Sequence, residues 1–244
     1  MTVRGDFRTV LEGLDAAATQ EFLTAHSALP GPRANLELLA AFGDVAPADQ
    51  ILALVGSDDE YVASCAAAAL GRLAGSGSAE QSRQALDLMR ASAADLRWRV
   101  REGVAMGLQR LGDADPVRLC AVVLTWAVAD DPLVQRAAVA GICEPRLLRD
   151  PSTARCALEA CRLATASIAA LGPEVRRRTD VRVLRQGLGY CWSVAVVGDP
   201  EHGLPAFDEL AASDDPDVRW IVTANRSKAR LIRLLAAAPG SSAR

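Results

Sequence analysis

Side chains able to do covalent or acid–base chemistry are scarce in this 244-residue chain and poorly spaced for it. His26 and His202 are the only histidines. Neither has a serine, cysteine or carboxylate at a recognisable motif spacing, so a histidine-dependent triad or a histidine-rich metal site is not expected. Six cysteines, Cys65, Cys120, Cys143, Cys156, Cys161 and Cys191, form no CxxC and no paired Cys/His ligand spacing. They fall inside predicted helices and read as buried free thiols of a reducing cytosol. The glycine-rich run Gly71-Arg72-Leu73-Ala74-Gly75-Ser76-Gly77 follows no strand and fits neither nucleotide fingerprint. No catalytic residue, metal or cofactor is assigned on these grounds.

The residues that remain suit recognition. Trp98, Trp192 and Trp220 fall on the second helices of predicted helix pairs, and Trp126 on a first helix. Arginine concentrates on the same second helices: Arg97, Arg99, Arg101 and Arg110 stand against Glu102, and Arg176, Arg177, Arg178, Arg182 and Arg185 against Glu174 and Asp180. In the last helix Arg219, Arg226, Lys228, Arg230 and Arg233 face Asp215 and Asp217. The candidate binding residues on a shared inner face are therefore Trp98, Arg99, Arg101, Arg136, Arg177, Arg185, Trp192, Trp220 and Arg226. Two readings compete. Tryptophans can fill wide gaps between repeats while arginines pair with turn aspartates and cover apolar surface with their stems. Alternatively, basic second helices can line an electropositive groove. Net charge is -3, with 6 basic and 13 acidic side chains in residues 1–96 against 21 and 17 in residues 97–244. Because 26 of the 27 basic residues are arginine, a GC-rich coding genome accounts for the skew, and arginine is not read as a phosphate fork chosen over lysine.

The elements that position these residues announce themselves by repetition. Four acidic turns run into apolar helices at Asp58-Asp59-Glu60-Tyr61-Val62, Asp95-Leu96-Arg97-Trp98-Arg99-Val100, Asp130-Asp131-Pro132-Leu133-Val134 and Asp214-Asp215-Pro216-Asp217-Val218. The valines are 38, 34 and 84 residues apart, and a weaker copy at Val183 divides the last interval into 49 and 35. Such periods indicate helical hairpins stacked into a solenoid. The pairs are expected at 79–93 with 97–111, 116–129 with 132–147, 152–171 with 173–197, and 205–212 with 216–237. Before them come helices at 6–14, 17–28, 34–42, 48–55 and 60–74, with Leu29-Pro30-Gly31-Pro32 as a break. The aspartates of the acidic turns are expected to cap the second helices. Small residues such as Ala63-Ser64-Cys65-Ala66-Ala67-Ala68-Ala69 let helix axes approach closely. No alternating β-branched run appears, so strands are not expected. With no apolar stretch near the roughly 18 residues of a membrane span and no leader-like N-terminus, the reading is a soluble cytoplasmic protein without a membrane partner.

The second helices resemble those of HEAT repeats: Val100-Arg101-x-x-Val104-Ala105-x-x-Leu108-x-x-Leu111 and Val218-Arg219 carry that family's pattern over roughly residues 35–235. The arginine is replaced by Ala63 after Val62 and by Gln135 after Val134. The resemblance implies an all-α, α-α superhelix, a HEAT-like solenoid of about six helical hairpins over residues 1–238, followed by a disordered tail at 239–244. It implies a non-catalytic protein-binding scaffold or adaptor that meets an unidentified protein partner through its concave second-helix surface. In length and repeat type the chain is also similar to HEAT-like alkylpurine DNA glycosylases, so the alternative is nucleic-acid binding, with or without such an activity. Their Trp-Trp-x-x-x-Asp pattern has no counterpart here, and Asp130 and Asp131 after Trp126 read as turn and cap residues.

Overall fold

A computed structural model describes residues 3–237, and the expected C-terminal tail at 239–244 lies outside the described residues. These residues are all-α, a helical-repeat fold without strands. They fall into two compact units, 1–115 and 116–244.

Unit 1 contains α1 (Val3–Leu11), α2 (Ala16–Ala25), α3 (Leu36–Val45), α4 (Ala48–Leu54), α5 (Glu60–Ser76), α6 (Ala79–Ala93) and α7 (Trp98–Ala114). Its centre is α5, which packs on α2, α3, α4, α6 and most extensively on α7. Alanine dictates this closeness. Every residue from Tyr61 to Gly71 is buried, and a Cβ built on Gly71 would stand 1.9 Å from the carbonyl oxygen of Gly107. The α5 and α7 backbones therefore touch where neither has a side chain. The result is one layer of second helices, α3, α5 and α7, backed by α4 and α6.

Unit 2 contains α8 (Pro116–Trp126), α9 (Pro132–Ile142), a 3-10 turn (Leu147–Arg149), α10 (Pro151–Ala169), α11 (Pro173–Arg176), α12 (Thr179–Gly198), α13 (Pro200–Ala211), α14 (Pro216–Arg226) and α15 (Ala229–Ala237). Here α12 is central, between α9 and α14 in its own layer and against α10 and α13 in the other. Its core is built on Trp192, which is 1% exposed and lies 6.3 Å from the ring of Phe207. The indole N–H donates to Thr165 Oγ1 at 2.9 Å, so the one polar atom of the ring is satisfied. Asn225 clamps α14 to α12, donating to the carbonyls of Leu188 and Ile221 and accepting from the N–H of Ser193.

Aspartate caps fix the helix starts. Asp59 accepts from the N–H groups of Tyr61 and Val62, Asp131 from Leu133, and Asp215 from Asp217 and Val218. The second acidic turn departs from the expectation. Asp95 bonds the N–H and guanidinium of Arg97, which is itself the residue before α7, and leaves the helix uncapped by its own turn. Three expected helices are also interrupted. The 132–147 helix stops at Ile142, the 173–197 helix breaks at Arg177-Arg178, and the 216–237 helix breaks at Ser227-Lys228. At the last break Ser227 Oγ donates to the carbonyl of Ala224, the local competition by which serine ends helices. Conversely, α13 begins at Pro200 and contains Pro205, five residues earlier than expected. All six cysteines are free thiols, five of them buried and Cys120 partly so.

Candidate functional site

Unit 1 carries a cleft of about 590 Å³ between α3 and α7, with Ser64 of α5 in its lining. The geometry follows from α5 having no large side chain to raise its surface. Gly103 deepens it: a Cβ there would stand 2.4 Å from the carbonyl oxygen of Ser64, so α7 lies against α5 at this level. One face of α7 supplies Arg99, Glu102, Gly103 and Met106 at three- and four-residue spacings, while α3 and the segment before it supply Arg33, Leu36, Glu37 and Leu39. At the lip stands Trp98, 53% exposed, beside Leu36, 56% exposed.

Trp98 is held by charge. The Arg99 guanidinium lies 4.6 Å from its ring centroid and pairs with Glu60 at 2.9 Å, both charged side chains being mostly buried. Glu60 also accepts the backbone N–H of Arg99 at 3.2 Å, so the acid at the start of α5 caps α7 from the neighbouring repeat. This replaces the cap that Asp95 does not provide. Arg97 reaches back in the same direction, donating to the carbonyls of Ser57 and Asp58.

Unit 2 repeats the arrangement. Arg185 of α12 lies 4.8 Å from the ring centroid of Trp220, which is 40% exposed on α14, and pairs with Asp217 at 2.5 Å. Arg176 pairs with Asp215 at 2.6 Å and donates to the carbonyls of Ala169 and Leu171, tying the end of α10 to the cap of α14. Burial alone would raise the Asp215 carboxyl, but the Arg176 bond and the N–H of Val218 outweigh it and hold the group below the usual aspartate range.

The remaining candidates separate along these lines. Trp192 is a core residue that fills the space between α10, α12 and α13. Arg101 donates to the carbonyls of Asp95 and Leu96, and Arg136 is half-buried with its stem beside Gly187. Arg177 is exposed with Glu174 at 2.9 Å, and Arg226 is exposed at the end of α14. Within unit 1 the cleft brings Trp98 and Arg99 together; within unit 2 Arg185 and Trp220 meet. The sequence reading missed Leu36, Glu37 and Met106. Met106 was legible as the next step of the 99, 102, 103 stripe, whereas Leu36 sits beside its Asn35 cap like any first-turn leucine. His26 stacks on Phe22 and His202 bonds Asp199, each at a helix end. Among the described residues no group of three His, Cys, Asp or Glu side chains is arranged to hold a metal ion, and no helix is long and apolar enough to cross a membrane.

No known protein family and no curated protein matches this chain. Among solved structures it is similar to an engineered protein at 16% identity, covering 92% of this chain and 97% of that one with a TM-score of 0.39. It is also similar to a designed armadillo repeat protein in complex with the peptide (KR)4, at 13% identity, covering 92% and 98% with a TM-score of 0.39.

Proposed function

We propose that this chain is a HEAT-like, non-catalytic adaptor that binds a protein partner by taking a peptide segment into the α3–α7 cleft of unit 1. The observation that supports this most is the pairing of an open cleft with a half-exposed tryptophan at its lip. Exposed aromatic side chains beside an apolar-walled depression are what partner residues anchor on, since tryptophan contributes large area at small entropy cost. Leu36 and Met106 give apolar wall, while Arg33 and Glu37 on the rim offer both signs of charge for register.

The nucleic-acid reading loses its main support in the same geometry. Arg97, Arg99, Arg176 and Arg185 spend donors on carboxylates and carbonyls of adjoining repeats, and Arg101 on carbonyls of its own turn. A phosphate backbone would have to displace those bonds. The test is selection of peptides from a random library on the immobilised protein, followed by affinity measurement against variants. Binding should fall at least about tenfold in Trp98→Ala and in Leu36→Asp and stay unchanged in Trp220→Ala. Peptides indifferent to Trp98 and Leu36 would sink the assignment of this cleft.

A further inference from the structure

A second cavity, of about 470 Å³, lies in unit 2 between the end of α12, the segment Pro145–Arg149 and the start of α15. Leu148, Val194 and Val197 give it apolar walls, and Arg149 and Arg230 are its only charged lining residues. On α12, Tyr190, Val194 and Val197 are four and three residues apart, so they share one face leading into the cavity.

Arg230 is unlike the arginines of the repeat turns. Its guanidinium lies 4.4 Å from the Tyr190 ring centroid, and Nη2 donates to the Tyr190 hydroxyl at 2.6 Å. Its Nη1 is buried and has no hydrogen-bond acceptor among the described residues. Lys228, the sole lysine, lies 5.9 Å from the same ring. Among the described residues neither Arg149, Lys228 nor Arg230 has a carboxylate partner. The acids nearest along the chain are engaged elsewhere: Glu144 with Arg146, Asp150 in capping α10, and Asp199 with His202 and Arg155. A desolvated guanidinium donor aligned on an aromatic face, at an apolar cavity with a second arginine and no acid, is a receptor for an anion.

We propose that this cavity binds a carboxylate carried on a short aliphatic or aromatic body, with the anion between Arg149 and Arg230 and the body against Leu148, Val194 and Val197. A carboxylate is favoured over a phosphate because the lining has no serine or threonine and only two cations, too few donors for a dianion. The same chemistry occurs in a free monocarboxylic acid and in the last residue of a peptide.

Calorimetric titration of the full chain with hexanoate, hexanamide and N-acetyl-leucine tests the site. Hexanoate or N-acetyl-leucine should bind with a Kd at or below about 1 mM, and the neutral amide at least about tenfold more weakly. The tighter of the two acids tells whether a free acid or a chain terminus fits better. Arg230→Met should weaken the acid about tenfold. Arg149 is exposed, so Arg149→Gln, checked for unchanged helicity, should weaken it severalfold even if Arg230→Met fails to fold. The proposal is overturned if neither acid binds at about 10 mM, if hexanamide matches hexanoate, or if folded Arg149→Gln binds as the parent does.

Discussion

Two tryptophans on second helices have opposite physical fates, and that difference separates recognition from packing at the level of single residues. Trp192 is enclosed and hydrogen-bonded, so Trp192→Ala should cost about 3–5 kcal/mol in a urea titration through lost burial and the cavity left behind. Trp98 is half in solvent, and Trp98→Ala should cost less than about 1 kcal/mol in stability while weakening peptide capture at least about tenfold. A large stability loss at Trp98 would mean that its ring is a packing element. Glu60 is the residue on which this lip depends. Its carboxylate holds both the Arg99 side chain and the Arg99 N–H, so Glu60→Ala strands two donors and should destabilise by about 1–3 kcal/mol. Glu60→Gln keeps an acceptor and should recover part of that loss; equal effects of the two substitutions would rule out the capping role.

At the scale of helices, the contact between α5 and α7 sets the depth of the cleft. Gly71→Ala places a methyl against the Gly107 carbonyl, with no flexible side chain to yield, and should destabilise by at least about 1–3 kcal/mol. Gly56 is the control, since a Cβ there meets nothing within 4 Å, and Gly56→Ala should be neutral or stabilise by up to about 1 kcal/mol. Thermal unfolding of the two variants checks the contrast. Much of this layer was readable beforehand. The alanine run from Ala63 to Ala69 and the aspartates before Val62, Val134 and Val218 specify close packing and helix starts from residues near in sequence. What escaped depended on partners far along the chain. The cap of α7 comes from Glu60, 39 residues away, while the nearby Asp95 turns to Arg97. The arginine-rich second helices read as a basic face by counting, yet Arg99 and Arg110 pair with acids of preceding repeats, Glu60 and Asp44, and Arg176 and Arg185 with Asp215 and Asp217 of the next.

Across the whole molecule, charge is divided unevenly: residues 1–115 carry a net -6 and residues 116–244 a net +3. The cationic excess is small, and Arg176 and Arg185 are committed to ion pairs with Asp215 and Asp217, so duplex DNA at about 0.15 M salt should bind no better than generic non-specific affinity. The same ion pairs make the fold sensitive to acid. Burial raises the Asp44 carboxyl, but bonds from Arg4 and Arg110 bring it below the usual range; the Arg97 bond lowers Asp95 against burial, and Arg176 acts likewise on Asp215. A depressed folded-state value means that the unfolded chain binds the proton more readily. The stabilisation from these groups is therefore complete above the unfolded aspartate value of about 3.9 and is lost as pH falls through the lower folded values. The urea midpoint should be nearly constant from about pH 7 to about pH 5 and decline steeply below about pH 4. Asp44→Asn removes one carboxylate that joins α1, α3 and α7 through Arg4 and Arg110. That variant should be less stable at neutral pH and show a shallower acid decline, because one proton-linked group is gone. A decline as steep as that of the parent would mean that Asp44 is not among the groups whose protonation unfolds the protein.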